Sequence, residues 1–288
     1  MPYILLAIFV LIVIWGIYIY FENNRIDVSR YEVNVKDLPE SFENYKIVQI
    51  SDFHNNMLGS ENCKLTDAVE KESPDIIVIT GDYIDSRNTN VDISLALTEK
   101  LVKIAPVYYV TGNHERRDLV VLAELERGLK KLGVHVIRSG SEFLERNGEK
   151  IQLIGADDLI FYADESLPER DVDKQSYKMI DEIDSMKDDA CPTILLEHRP
   201  SFFDDYACIG IDVTFAGHEH GGQFRLPFIG GLYAPDEGYF PKYSEGMHTS
   251  GDSTMIVSRG LGQSVFPFRI NNSPELVTAV LKRKNLNP

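Results

Sequence analysis

Side chains capable of metal binding and proton transfer recur in this sequence directly after short apolar segments. Eight positions share this placement: Asp52, His54, Asp82, Asn113, His114, His198, His218 and His220. They include five of the seven histidines and none of the three cysteines. Clustered oxygen and nitrogen ligands without thiolates suit divalent cations such as Mn, Fe, Zn or Mg. The residue types therefore predict a divalent-metal site.

Each of these residues also has an ordinary structural interpretation when it is taken alone. An Asp after a strand is commonly a turn or cap residue, and a lone histidine is more often a hydrogen-bonded structural group than a ligand. Their shared position favours chemistry, because ligands of an open α/β sheet bind beyond the carboxyl ends of its strands. We therefore expect groups from distant segments to meet in one crevice.

The apolar segments that precede these residues have the pattern of buried strands. They are short, nearly continuous and rich in Val and Ile, as a sheet covered on both faces requires. They comprise residues 46–51, 75–80, 107–111, 151–155, 193–197 and 213–216. Helical periodicity predicts helices over 91–104, 117–132 and 173–187. From about residue 220 to Pro274 this periodicity disappears, which predicts strands, long loops and an added β layer. The fold class is α/β.

The first 21 residues form an uncharged stretch that is apolar except at Pro2 and Gly16. At about 1.5 Å per residue, such a helix reaches roughly the 30 Å of a hydrocarbon core. We predict a transmembrane anchor over residues 1–22, and the alternative is a processed signal segment. Residues 23–45 are interpreted as a juxtamembrane linker with a possible edge strand. Residues 46–285 are interpreted as one catalytic domain, because no internal repeat or long linker divides them.

The composition is that of an acidic globular protein. The chain has 288 residues, 29 Lys and Arg, 45 Asp and Glu, a net charge of −16 and 43% hydrophobic residues. This balance argues against disorder, and long-range repulsion disfavours a nucleic-acid partner. Basic and acidic residues alternate after the anchor. The positive-inside rule therefore does not decide on which side of the cell membrane the domain lies. The oligomeric state is open as well.

The ordered pattern D-x-H, G-D, G-N-H-E, a lone H and G-H-x-H, from Asp52 to His220, resembles that of the calcineurin-like metallophosphoesterases. Within that family the chain is most similar to a bacterial membrane-associated branch with a G-H-x-H-G-G-Q signature, found here at residues 217–223. The resemblance implies a four-layer α/β/β/α sandwich. In this chain the sandwich would be preceded by one N-terminal transmembrane helix.

The resemblance also implies a binuclear metal centre with two divalent cations per chain. The first cation would be held by Asp52, His54, Asp82 and His220. The second would be held by Asp82, Asn113, His198 and His218. A hydroxide bridging the two metals would attack phosphorus in line. Asn113 and His114 would be the catalytic residues, with His114 steadying the phosphate and donating a proton to the departing oxygen.

The implied activity is a membrane-anchored phosphoesterase that cleaves phosphoester or pyrophosphate bonds. Its substrate would be a small or lipid-linked phosphoester, and some relatives act on cell-envelope compounds, including a UDP-diacylglucosamine pyrophosphohydrolase. The alternative is a non-catalytic interaction protein that retains the fold. Every motif position carries the family's residue, which favours the enzyme because function is argued from the site.

Charged residues beside the motifs are expected to be structural. Glu219 stands between two candidate ligands, and we expect it to point to solvent because neighbouring residues of an extended segment face opposite sides. The alternative is that it adds negative charge near the site. Four arginines near the motifs are expected to be solvated or ion-paired rather than catalytic. They are Arg116, Arg117, Arg199 and Arg225.

Overall fold

The computed structural model of the chain describes residues 2–163, 172–226, 228–234, 237–264 and 266–284. Two six-stranded sheets lie at its centre. In spatial order, the first contains β1 (Asp27–Val35), β16 (Glu275–Arg283), β2 (Lys46–Ile50), β3 (Ile76–Thr80), β4 (Val107–Val110) and β5 (His135–Val136). The second contains β14 (Gly246–Ser250), β15 (Ser253–Val257), β9 (Val213–Ala216), β8 (Thr193–Leu196), β7 (Glu149–Gly155) and β6 (Gly140–Arg146). All six predicted strands are present.

Helices cover the outer face of each sheet. They are α2 (Cys63–Glu72), α3 (Val91–Leu101) and α4 (Leu119–Lys131) on the first sheet, and α5 (Val172–Met186) and α6 (Phe203–Cys208) on the second. The inner faces share one apolar core, in which Val78 and Val110 of the first sheet pack with Leu153 and Phe215 of the second. This arrangement confirms the predicted four-layer α/β/β/α sandwich.

The three predicted helices, α3, α4 and α5, are present with slightly different ends. Helix α4 begins at Leu119 because the Asp118 side chain caps it, accepting hydrogen bonds from the backbone N–H groups of Val120 and Val121 at 3.0 and 3.2 Å. The C-terminal strands divide between the two sheets rather than forming a layer of their own. Strands β14 and β15 extend the second sheet, and β16 lies between β1 and β2 of the first.

Two small hairpins lie along the chain between β9 and β14 of the second sheet. One pairs β10 (Arg225–Leu226) with β11 (Gly230–Gly231), and the other pairs β12 (Tyr233–Ala234) with β13 (Gly238–Tyr239). They follow the last of the candidate metal-binding histidines along the chain. The hairpins therefore lie next to the loops that carry the predicted chemistry.

The N-terminal helix α1 (Pro2–Asn24) is long and apolar enough to cross a membrane, and its apolar window is entirely unburied. Only Arg25 and Ile26 separate it from β1, so the link to the first strand is shorter than the sequence suggests. Strand β1 lies at the edge of the first sheet, within the segment for which the sequence predicts a possible edge strand.

Candidate metal centre

The loops that follow five central strands bring all the predicted site residues to one end of the two sheets. Strands β2, β3 and β4 run parallel, as do β8 and β9. Asp52 and His54 follow β2, Asp82 follows β3, Asn113 and His114 follow β4, His198 follows β8, and His218 and His220 follow β9. Asn113 and His114 are half-buried and the other six are buried.

Four of these side chains form a compact group whose donor atoms all lie within 4.8 Å of one another: Asp52, His54, Asp82 and His220. Nε2 of His54 lies 3.5 Å from Oδ2 of Asp82, and Nε2 of His220 lies 3.3 Å from Oδ1 of Asp52. Two carboxylates and two imidazoles at this spacing can surround a divalent cation.

A second group adjoins the first through Asp82. Nε2 of His198 lies 3.4 Å from the same Oδ2 of Asp82, and the rings of His198 and His218 have centroids 5.0 Å apart. Nδ1 of His198 lies 2.8 Å from the carbonyl oxygen of Thr80 and donates to it. This hydrogen bond orients the ring so that Nε2 faces the carboxylates, as a hydrogen bond to the other ring nitrogen does in metal-binding histidines.

Two buried atoms of the second group have no well-directed hydrogen-bond partner among the described residues. They are Nε2 of His198 and Oδ1 of Asn113. A buried polar atom without a partner costs about 1–3 kcal/mol. Oδ1 of Asn113 has a lone pair available for a cation, and Nε2 of His198 has one once its proton is displaced, so the residues present fit a second metal ion as well as a first.

The electrostatics of the centre keep two of its histidines neutral, which is the form that ligates metals, and favour the charged form of a third. Burial lowers the pKa of His54 to about 3 and the pKa of His220 well below its ordinary value, which keeps both rings neutral. Burial disfavours the charged forms of Asp82 and His198, but the opposite charge of each residue stabilises the charged form of the other. The pKa of Asp82 therefore lies well below the ordinary value of an aspartate, and the pKa of His198 lies well above the ordinary value of a histidine. A cation entering this negative field would compete with the proton of His198.

The backbone at the centre is held in the left-handed region at five non-glycine residues. The φ angles are 49° at Asp52, 49° at His54, 49° at Asp82, 70° at His218 and 48° at His220. Such conformations cost of order 1–3 kcal/mol each and cluster at functional sites, where the surrounding structure enforces them. The loops are therefore shaped to place these side chains rather than to minimise local strain.

The sequence model of the calcineurin-like phosphoesterase family matches residues 45–222, which include every one of these positions. The chain belongs to this family. It is accordingly a metal-dependent phosphoester hydrolase, and its buried Asp–His–Asp–His group is consistent with two divalent cations. The predicted family is confirmed. The resemblance to the bacterial membrane-associated branch stays a prediction, as does the identity of the metals.

Curated relatives match over most of the chain. The uncharacterized metallophosphoesterase YkuE of Bacillus subtilis is 30% identical over 271 residues, covering 92% of this chain and 89% of the relative. Phosphodiesterase YaeI of Escherichia coli is 25% identical, over 81% of this chain and 80% of its own length. A transmembrane protein with metallophosphoesterase domain from Danio rerio is 28% identical, over 88% of this chain and 56% of its own length.

Glu115 has a structural role in this phosphoesterase centre that the sequence analysis missed. Its side chain is fully buried, and its two carboxylate oxygens accept backbone N–H groups of Asp82 at 3.0 Å, Tyr83 at 2.7 Å and Gly112 at 2.8 Å. One carboxylate thus ties the loop after β3 to the loop after β4. The available signal was the acidic residue that ends G-N-H-E.

We expect Glu115→Gln to weaken metal binding by about tenfold and to lower the free energy of unfolding. The amide nitrogen of Gln cannot accept a hydrogen bond, so at least one buried N–H loses its partner, at a cost of about 1–3 kcal/mol. Calorimetric metal titration and thermal unfolding measure the two effects. The exposed Glu145→Gln on β6 is the matched control. Equal metal affinity in both variants would remove Glu115 from this role.

His114 lies at the rim of the centre with its two ring nitrogens in different surroundings. Nε2 is 3.9 Å from Oδ2 of Asp82, whereas Nδ1 accepts the backbone N–H of Ser86 at 3.1 Å. Asp85, to which the sequence analysis gave no role, places Oδ1 3.5 Å from the same Nδ1. The contacts at Nδ1 therefore orient the ring so that Nε2 is directed toward the candidate metal-binding carboxylate of Asp82.

The charged neighbours differ from expectation at one position. The prediction that Glu219 faces solvent is wrong, because its side chain is only 1% exposed. Residues around it form a tight turn with left-handed backbone at His218 and Gly221, so the alternation of an extended strand does not apply.

The arginines near the motifs form ion pairs or lie at the surface. Arg199 pairs with Asp158 at 2.8 Å and Arg225 pairs with Glu245. Arg117 is exposed, and the guanidinium of Arg116 lies 5.9 Å from the centroid of the Phe161 ring.

Proposed function

We propose that the chain is a membrane-anchored binuclear phosphohydrolase with the two ligand sets that the family resemblance implies. Asp52, His54, Asp82 and His220 would hold one cation. Asp82, Asn113, His198 and His218 would hold the other. The observation that carries this proposal is the position of Asp82. Its Oδ2 lies 3.5 Å from Nε2 of His54 and 3.4 Å from Nε2 of His198, between the two groups.

Two divalent cations bound there would supply an activated water for in-line attack at phosphorus and would neutralise charge on the phosphoryl oxygens. The half-buried Asn113 and His114 would contact the substrate from the accessible side of the centre. The Asn113 amide group would bind a phosphoryl oxygen, and Nε2 of His114 would donate a proton to the departing oxygen. The backbone N–H of His114 donates to Oδ1 of Asp82 at 2.8 Å, which fixes both residues relative to the bridging carboxylate.

The substrate in this proposal is a phosphoester or pyrophosphate attached to a lipid or another cell-envelope carrier. Helix α1 supports it, because an anchor two residues from the catalytic sheets keeps the metal centre near the cell membrane. Transmembrane relatives of the same family support the membrane association. UDP-diacylglucosamine pyrophosphohydrolase-like activity is one activity of this class.

Metal removal and reconstitution of the full chain in detergent micelles tests the proposal. The chelated protein should be inactive, and added Mn²⁺, Zn²⁺, Fe²⁺ or Mg²⁺ should restore hydrolysis with about two cations bound per chain. Aryl phosphomonoesters, aryl phosphodiesters and a lipid-linked pyrophosphate in mixed micelles should be compared by kcat/KM, with the lipid-linked compound preferred. Full activity after chelation would contradict the metal centre. Equal kcat/KM for soluble and lipid-linked substrates would contradict only the lipid assignment.

A further inference from the structure

Helix α1 is packed against the catalytic domain near its C-terminal end. The Tyr18 hydroxyl donates to Oδ1 of Asn271 at 2.7 Å, and Asn23 exchanges two hydrogen bonds with the backbone of Arg269, at 2.7 and 3.1 Å. The Trp15 ring meets the Phe268 ring edge-on, with centroids 5.9 Å apart. The anchor is therefore docked on the segment 266–273, and its direction fixes the orientation of the domain relative to the bilayer.

The strand register places the metal centre at the anchor end of the first sheet. Asp27, the first residue of β1, pairs with Glu275 of β16, and Val277 of β16 pairs with Gln49 near the end of β2. The C-terminal end of β2, which leads directly into Asp52, thus lies at the same level as the C-terminal end of α1. Because β3 and β4 run parallel to β2, their carboxyl ends face the membrane side as well.

The β10–β11 hairpin is attached to the same segment that holds α1. Phe224 forms a bridge with Ile270, the backbone N–H of Arg225 donates to the Ile270 carbonyl at 3.1 Å, and the Asn271 side chain donates to the Arg225 carbonyl at 3.2 Å. Phe224 also packs against Phe268, with centroids 5.9 Å apart, so both elements contact one aromatic residue.

The tip of this hairpin is apolar and exposed. We define it by Leu226, Phe228 and Ile229, of which Phe228 is fully exposed and Ile229 is 61% exposed. The exposed side chains of Phe266 and Phe240 lie in the neighbouring loops. Contiguous exposed apolar side chains mark protein or membrane contacts.

We propose that the hairpin tip enters the bilayer that α1 spans and forms a second membrane contact beside the metal centre. The inference rests on the proposed anchoring by α1 and deepens it. The choice of a bilayer over a protein partner follows from continuity, because α1 and the hairpin are both fixed to the segment 266–273 on the anchor side of the sheets. Aromatic and aliphatic side chains at a polar surface suit the interfacial region of a membrane.

The same segment also contacts the metal centre. The Asn272 side chain donates to the carbonyl oxygens of His220 at 2.7 Å and of Gln223 at 3.1 Å, and the Arg269 guanidinium lies 3.4 Å from Nδ1 of His220. The segment 266–273 thus contacts α1, the β10–β11 hairpin and the candidate metal ligand His220. An amphiphilic phosphoester with its phosphate at the bilayer surface could reach the centre while its acyl chains stay in the membrane.

Fluorescence quenching by brominated lipids tests the inference in the full chain. Trp15→Phe removes the single tryptophan, and Phe228→Trp or Ile229→Trp then places an indole at the tip. These variants are reconstituted in phosphatidylcholine and phosphatidylglycerol vesicles with or without brominated acyl chains. We expect loss of most of the tip fluorescence in brominated vesicles. Glu145→Trp in the same background is the matched control, because Glu145 pairs with Lys150 at the opposite end of the second sheet.

Each outcome bears on the inference. Strong quenching at the tip together with no quenching at position 145 supports it. Unquenched tip fluorescence overturns it, including the case in which a second copy or another protein covers the tip, and equal quenching at both ends overturns it too. Flotation of the same samples with vesicles reports on α1, and metal content reports on the catalytic centre. Failure of the proposed function is therefore distinguishable from failure of the tip contact.

Discussion

Asp82→Asn is expected to lower kcat by about 10³-fold, the upper end of the cost of losing one electrostatic group in an active site. The reason is that Oδ2 of Asp82 faces ligands of both candidate cations, at 3.5 Å from His54 and 3.4 Å from His198. An Asn side chain has the same shape and keeps one oxygen, which can still accept the His114 backbone N–H. Its neutral amide neither bridges two cations nor offsets their repulsion.

Metal content and hydrolysis measured on the same preparation separate the causes of this loss. Bound metal should fall from about two cations per chain to fewer than one, whereas far-ultraviolet circular dichroism should be unchanged. Asp92→Asn, an exposed position in the first turn of α3, is the matched control and should retain both metals and activity. Two bound cations and normal kcat in Asp82→Asn would refute the bridging role.

Gly112→Ala should lower activity by about 10²-fold, as loss of close positioning does in active sites. A Cβ at Gly112 would overlap both Oδ1 and the backbone nitrogen of Asp82. The backbone atom cannot rotate away, so the loops after β3 and β4 would have to separate and the ligands would move apart. Overpacking of this kind also costs typically about 1–3 kcal/mol of stability.

The glycine at the start of β6 provides the comparison for this variant. A Cβ at Gly140 would meet its nearest neighbours at 3.7 Å, which is ordinary contact, and Gly140→Ala should therefore leave kcat and metal affinity unchanged. Urea unfolding, metal titration and hydrolysis of an aryl phosphoester measure the three quantities. If Gly112→Ala and Gly140→Ala behaved alike in all three, the close approach of the two loops would not matter for catalysis.

The sandwich was predictable because its buried strands have short, β-branched segments such as Ile76–Thr80, whose pattern depends on local sequence alone. The convergence of Asp52 and Asp82 was predictable because parallel strands of one sheet end at one edge. His198 follows a strand of the second sheet, so its approach to them depends on how the two sheets pack. The role of Glu115 was not predictable, because G-N-H-E marks an acidic residue without showing that its partners are backbone N–H groups of two loops. The burial of Glu219 depends on left-handed backbone in its loop, which the residue types did not disclose.

Long-range packing was equally hidden from sequence patterns. The sequence of helix α1 indicates an independent anchor, yet Asn23 contacts Arg269, which lies 246 positions later in the chain. The link of only two residues between α1 and β1 has no signature in composition. These contacts follow from the register of β1 on β16. Register between segments so distant in sequence is set by the assembled sheets rather than by either segment.

The insertion of β16 between β1 and β2 has a consequence for biosynthesis. Strand β1 pairs only with β16 among the described strands, and β16 also pairs with β2. The two early strands therefore keep unpaired edges until residues 275–283 leave the ribosome. Such contacts of high sequence separation form slowly and expose edges to aggregation meanwhile. Completion of the sheet that carries Asp52 and Asp82 thus awaits the synthesis of residues 275–283, long after the apolar helix α1 has emerged.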